Sequence, residues 1–324
     1  MKPFKSFMAT QMEAFLAYRD DLGYRKMPAY YYLLLLDQYL VENHAKWNDF
    51  NPAFFLRMQN ETPLEASTVN SMISLLRTFF QFLIRREELT HDPLKDVPRL
   101  RQNTVVPFVF SPEQVDHLLH VMNRRIRKKE FWFLTDLAMY LIVLLMARCG
   151  LRISEPIRLL RHHYRSDDAT IYIEKTKFSK DRLIPVPKDV ATQIENYLSV
   201  RETLTPNDNN PHLLAGKGDR CISNTTFRYA FTDALKKMGL SRERRIIGNV
   251  NFNPPTPHSL RHSFAINTLK NVRERGQCAQ NALPILAAYM GHTNPKGTAV
   301  YLKVADAMSR GQLLDFSLWQ RDKR

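Results

Sequence analysis

Two arginines, two histidines and one tyrosine stand in an order that suits chemistry on a phosphodiester. Arg152 lies within Cys149-Gly150-Leu151-Arg152-Ile153-Ser154-Glu155, His258 and Arg261 bound His258-Ser259-Leu260-Arg261, His292 follows Gly291, and Tyr301 comes after them. A phosphodiester under attack gathers negative charge on its non-bridging oxygens. A guanidinium is always charged, and its forked donors match two such oxygens. Imidazoles move protons or donate hydrogen bonds. A free tyrosine has a pKa near ~10, so Tyr301 needs a nearby base or a strong positive field before it attacks. The leaving oxygen needs a proton, which a lysine at Lys175, Lys177 or Lys180 can supply.

The elements around these residues are legible. Arg152 precedes a short helix that Ser154 is expected to cap, with Pro156 tolerated in its first turn. Arg261 falls in the first turn of a second helix, with Thr256 as cap and Pro257 at the first helical position. Helix N-termini present free N–H groups and a dipole that favours an anion, so both arginines can meet on one phosphate. His258 and Arg261, three apart, share a helix face. Gly291 lets the chain turn before His292. Ala169 to Ile173 alternates like a strand, and so does Leu183 to Pro187, where Pro185 and Pro187 mark an edge or strand end. The short lysine-rich connection makes them a β-hairpin.

Upstream, residues 1 to about 100 read as mostly helical. Phe7, Met8, Met12, Phe15 and Leu16 recur at helical spacing, and Gly23-Tyr24 is a break. Ser67 to Asn70 opens a long helix with Ile73, Leu76, Phe79, Phe80 and Leu83 on its apolar face. Arg77, Arg85 and Arg86 on that helix are either phosphate contacts or a solvated face. Residues 101–109 read as a basic, irregular linker. Ser111-Pro112-Glu113-Gln114 then starts a new helix with a capping box. Residues 203–210 and 243–257 read as loops. The expected fold class is mainly α with a small antiparallel β-sheet.

Composition limits the partners. The chain has 324 residues and a formal net charge of +15, which points to a polyanion, nucleic acid above all. Neither a lipidation signal nor a basic amphipathic helix supports a membrane-surface reading. The longest apolar run, Leu137 to Ala147, is too short to span a bilayer and reads as a buried core helix. Met1-Lys2-Pro3-Phe4-Lys5 does not begin a signal peptide. Cys149, Cys221 and Cys278 show no metal spacing and read as packing residues in a reducing cytoplasm. His258 and His262 are four apart, but no glutamate follows His258, which argues against a zinc peptidase helix. Gly216-Lys217-Gly218 reads as a turn, and His162-His163 as surface.

Taken together, the boxes resemble those of the tyrosine recombinases of the phage-integrase family. The first arginine box resembles Cys149 to Glu155, the His-x-x-Arg box matches His258 to Ala265, and the last box matches Met290-Gly291-His292 through Thr298 to Tyr301. Lys177 to Pro185 resembles the lysine box, whose register singles out Lys177. The resemblance implies Arg152 and Arg261 as phosphate clamps, Lys177 as general acid and His258 as general acid/base. It implies His292 as a donor to a phosphate oxygen, Tyr301 as nucleophile and Glu155 as a supporting residue. Ser259 stands where an aspartate is frequent, and Pro156 where a leucine is frequent.

By the same resemblance, residues 1–100 form a helical, SAM-like core-binding domain. Residues 110–324 form an α+β catalytic domain with a C-terminal docking tail, in which Leu313, Leu314, Phe316, Leu318 and Trp319 concentrate apolar area. The same resemblance implies a two-domain, Xer-like architecture, with no arm-binding domain expected before the helical region. The expected activity is cutting and rejoining of double-stranded DNA through a 3′-phosphotyrosyl link, without metal or cofactor. The work would be done by a homo- or heterotetramer on two sites, in the cytoplasm at the nucleoid, with integration, excision, transposition and dimer resolution all open as its biological setting. A type IB topoisomerase and a catalytically silent DNA-binding protein are the rival readings.

Overall fold

The computed structural model describes residues 2–174, 181–292, 298–299, 301–302 and 304, with backbone alone at 130 and 131. The chain divides into two compact units, Met1–Thr104 and Val105–Arg324.

The first unit is helical. α1 (Ala9–Asp21), α2 (Lys26–Glu42), α3 (Pro52–Glu61) and α4 (Ala66–Arg85) enclose one apolar core. Met8, Met12, Phe15, Leu33, Ile73, Leu76, Phe79, Phe80 and Leu83 are all buried, and each large apolar side chain so placed contributes about 1.5–3 kcal/mol. Phe50, Phe55 and Phe80 meet edge to face, with centroids 5.4–5.7 Å apart. Polar groups fasten the segment that follows α4. Asn70 donates to the Leu100 carbonyl and accepts from its N–H, both at 2.8 Å, and Gln59 donates to the Pro98 carbonyl at 2.9 Å. Arg77 is spent in the same way: its guanidinium donates to the carbonyls of Leu94 and Val97. It is a strut of this unit. Arg85 is exposed, and Arg86 pairs with Glu88 at 2.6 Å.

In the second unit, α6 (Glu130–Arg148) is the central helix. Its residues 141–146 are buried on every side, as a helix apolar all round must be. α5 (Pro112–Arg124), α8 (Lys188–Leu204) and α10 (Pro257–Glu274) pack on it. The capping box read at Ser111 is present: the Gln114 N–H donates to Ser111 Oγ at 3.2 Å, and the Ser111 N–H donates to Gln114 Oε1 at 3.0 Å. The short helix α7 (Ser154–Arg158) follows α6, α9 (Asn224–Lys237) covers α5, and α11 (Ala279–Met290) follows α10. Among the described residues no helix is long and apolar enough to cross a membrane.

One antiparallel sheet, β2 (Tyr164–Arg165), β3 (Thr170–Ile173) and β4 (Arg182–Pro185), contains the expected hairpin, with Ile171 opposite Ile184. A second sheet was not expected. It consists of β1 (Thr104–Val106), β6 (Val250–Phe252) and β5 (Arg245–Ile247), in that order. Residues 243–257, read as a loop, therefore contain a hairpin turning at Gly248, which has φ +55°. Its strands are three residues long, and Arg245, Ile246 and Ile247 are all exposed, so they show no inside–outside alternation. The cue was the Gly-Asn pair between apolar residues. The segment read as a linker supplies β1, and Phe108 and Val109 behind it are buried. His163, read as surface, is buried and accepts the Leu160 N–H at 3.2 Å. Of the cysteines read as packing residues, Cys149 is buried but Cys278 is exposed.

Candidate active site

The site is built on the N-terminus of α10, the loop before α7, strand β4 and the turn that ends α11. Thr256 occupies the N-cap position of α10 without a side-chain cap bond, and Pro257 occupies the first helical position. Ser259 Oγ accepts the Thr256 N–H at 3.0 Å, so serine here does the reaching back that an acidic residue does in a capping box. Ser154 does not cap α7: that helix has no side-chain cap, and the Arg152 N–H donates instead to Glu155 Oε2 at 2.8 Å.

Arg152 and Arg261 converge on adjacent peptide carbonyls. Arg152 Nη2 donates to the Gly291 carbonyl at 2.9 Å, and Arg261 Nη2 donates to that of Met290. Arg261 is completely enclosed, and its Nη1 donates to the Gly150 carbonyl at 2.6 Å. Among the described residues its Nε finds no acceptor. Burial, then the charge of Arg152, pushes Arg261 down to about 10, still charged at neutral pH. Arg152 keeps 26% of its side chain exposed and is the open arm of the pair. Gly150 has φ +61°, and a Cβ there would lie 2.4 Å from the Phe264 ring. Only glycine brings this carbonyl to Arg261 without displacing that ring.

Glu155 ties the site together. Oε1 accepts from Arg152 Nη1 at 2.9 Å and Arg182 Nη1 at 3.1 Å. Oε2 accepts from the Arg152 N–H at 2.8 Å and Arg182 Nη2 at 2.9 Å. Burial alone would raise its pKa, but the hydrogen bonds and charge of Arg182 outweigh that and hold the carboxyl below its usual range. Arg182 was not singled out from sequence. Its Nε donates to the Tyr289 carbonyl at 2.8 Å, so it links β4 to the end of α11. Period-two alternation could have found it, since Arg182 shares a strand face with the fully buried Ile184.

The remaining groups line one side of this frame. Tyr301 is 4% exposed. Burial raises its pKa, and the charges of Arg261 and Arg152 offset part of that. His292 Nδ1 lies 2.8 Å from Thr298 Oγ1, and its ring lies nearly parallel to that of Tyr301, with centroids 6.1 Å apart. Burial, then the charges of Arg261 and Arg152, pushes His292 down to about 4. His258 is exposed at the mouth. The protein packed beside its ring, then the same two arginines, lowers its pKa. His262, absent from the sequence-derived set, lies beside the Tyr301 hydroxyl. The structure thus gathers Arg152, Glu155, His258, Arg261, His292 and Tyr301. Lys177, with Lys175 and Lys180, lies outside the described residues, as does the segment read as a docking tail. Among the described residues no three His, Cys, Asp or Glu side chains group as a metal ion requires.

A fold of this kind around paired arginines and a buried tyrosine defines a DNA strand-transferring enzyme. The chain matches the model of the phage integrase family over residues 109–308 and belongs to that family. It is a tyrosine recombinase, an enzyme that cuts and rejoins DNA strands through a phosphotyrosyl intermediate. It is 28% identical over 260 residues to tyrosine recombinase XerD of Oceanobacillus iheyensis, covering 78% of this chain and 76% of that one. It is 25% identical over 320 residues to tyrosine recombinase XerA of Pyrococcus furiosus, covering 96% and 97%. In fold it is similar to XerH recombinase bound to palindromic difH substrate in a post-cleavage complex. The TM-score is 0.66 at 16% identity, covering 91% of this chain and 79% of that one.

Proposed function

We propose that Tyr301 attacks a DNA phosphate seated between Arg152 and Arg261, forming a 3′-phosphotyrosyl bond and releasing a 5′ hydroxyl. The observation that carries this reading is the convergence of the two arginines on neighbouring carbonyls at residues 290 and 291, beside His292 and Tyr301. A phosphate there gains the open arm of Arg152 and the unpaired Nε–H of Arg261. A buried donor without an acceptor costs about 1–3 kcal/mol, and an anionic oxygen removes that cost. The electrostatic clamp supplies the largest share of catalysis. His292 donates to a phosphate oxygen, His258 acts in proton transfer at the mouth, and Lys177 protonates the leaving 5′ oxygen. Glu155 orients Arg152. The ester conserves the energy of the broken bond, so a second strand's 5′ hydroxyl reverses the step with no nucleotide cofactor.

The helical first unit contributes DNA contacts of its own, and the enzyme works as a tetramer on two sites, at the nucleoid. Related recombinases support the assembly on DNA: lambda integrase structures include a dimer on a core site and a tetramer on a Holliday junction. The test is to trap the covalent adduct on a nicked duplex with a chelator present. Adduct should form at its normal rate, because the arginines take the place of a metal as charge stabiliser. Loss of cleavage in chelator, restored by one divalent metal, would refute the mechanism.

Binding should also be steeply salt-dependent. A chain of charge +15 that neutralises six or more phosphates releases their counterions. Its affinity is expected to fall by roughly 10³-fold between about 50 and 200 mM salt. A nearly flat plot of log affinity against log salt would show that the charge serves something else.

A further inference from the structure

His262 lies one helical turn beyond His258 on α10 and directly after Arg261. Its Nδ1 is 3.1 Å from the Tyr301 hydroxyl oxygen, with ring centroids 5.4 Å apart and planes at 57°. The other imidazoles are placed differently. His258 stands edge-on to His262 at 4.5 Å between centroids. His292 lies alongside the Tyr301 ring, with its Nδ1 occupied by Thr298. A buried phenol needs a partner for its O–H, and here that partner is His262. We infer that His262 is a catalytic residue: its Nδ1 holds the Tyr301 hydroxyl for attack and takes the proton as the new bond to phosphorus forms. The inference rests on the reading of Tyr301 as nucleophile.

The step balances. With the ring proton on Nε2, the Nδ1 lone pair accepts the hydroxyl proton. The tyrosine oxygen bonds to phosphorus, its O–H bond breaks, and Nδ1 takes the proton. The bond from phosphorus to the 5′ oxygen breaks with its electron pair on that oxygen, which is protonated from the leaving-group side. In the return step a 5′ hydroxyl attacks, and the imidazolium gives its proton back to the departing tyrosine oxygen. No proton is consumed over the cycle.

The surroundings keep His262 able to accept. The charged and titratable groups facing it are His258 and Arg261 from its own helix and His292 and Tyr301 from the segment beyond α11. Burial first, then the charges of His258, Arg261 and His292, pushes the imidazole down to about 3. It is therefore neutral across the working range, with its lone pair free. It is a weak base at rest. A phosphodiester placed beside Arg261 brings the negative charge that makes it a stronger one, so the tyrosine is activated only when DNA occupies the site.

The test is the single-turnover rate of adduct formation on a suicide duplex, with an ordinary phosphodiester and with a 5′-bridging phosphorothiolate. A sulfur leaving group departs without a proton, so it rescues defects on the leaving-group side and not defects in the nucleophile. His262→Phe keeps a ring and removes the nitrogen. It should slow cleavage by about 10²-fold or more, the usual range for a lost general base, and phosphorothiolate should not restore it. Lys177→Ala should be restored. His262→Asn, which places an acceptor near Nδ1 that cannot take a proton, should fall between wild type and His262→Phe and decides the matter if His262→Phe fails to fold. Normal cleavage by both His262 variants, or rescue of either by the phosphorothiolate, overturns the assignment. Adduct formation by Tyr301→Phe would instead sink the nucleophile reading.

Discussion

Replacing Tyr301 by phenylalanine should abolish covalent attachment to DNA while leaving DNA binding and folding nearly unchanged. The phenol is enclosed, and its ring packs beside His262 and His292, contacts that phenylalanine keeps. What disappears is one oxygen and its hydrogen bond to His262, worth about 1 kcal/mol of stability. The chemical loss is far larger, because the oxygen removed is the attacking atom. Adduct formation should fall by at least about 10⁴-fold, the scale expected when a nucleophile acting with its partners is removed. A denaturing gel of protein with suicide DNA reads this directly. An undiminished adduct would mean that another residue attacks.

The second large effect is expected at a residue with no part in the chemistry. Arg182→Met removes two of the four hydrogen bonds that Glu155 accepts and one of the cations that neutralise it. The carboxylate stays buried with Arg152 alone, a situation that costs about 3–5 kcal/mol. Adding Glu155→Leu removes the stranded charge, so the double variant should recover most of that stability. It should not recover cleavage, since Arg152 has then lost its bidentate orienter, and the rate should stay roughly 10²-fold down. Urea unfolding and single-turnover cleavage separate the two effects. A double variant no more stable than Arg182→Met would show that the pair is not the source. Acid adds a check with a definite sign. Glu155 titrates below its unfolded value of about 4.3, so its contribution is complete above that pH and fades as pH drops through the folded value. The double variant should lack that part of the acid-induced loss.

Local signals carried much of the reading from sequence. Serine and proline at residues 111 and 112 marked a real helix start, and alternation marked β3 and β4. The all-apolar run at 137–147 marked the central helix. What local sequence withholds is which side chains meet across distance. Arg182 was passed over because its partner Glu155 lies 27 residues away, on a different element. His262 was passed over because Tyr301 lies 39 residues ahead. In each case a residue's own neighbours give its face of the strand or helix, and only tertiary packing gives what that face touches. The β5–β6 hairpin escaped for another reason: its strands are only three residues long, and β5 is exposed throughout, so neither shows a period.

Apart from the Glu155 carboxylate that holds Arg152, the acceptors that seat the two arginines are peptide oxygens, those of Gly150, Met290 and Gly291. A carboxylate in their place would vanish with one codon change, but a carbonyl is supplied by every residue. Arg261 is therefore anchored by chain trajectory and not by the identity of its partners, Arg152 only in part, and positions such as Met290 are free to drift so long as their bulk fits. The exceptions are Gly150, already held to glycine by the Phe264 ring, and Gly291, with φ +64° and a Cβ position only 3.0 Å from Arg182 Nη1. Mutational tolerance along this turn should thus be sharply uneven, with Gly291 held by its backbone and His292 by its chemistry, beside a Met290 that evolution can rewrite.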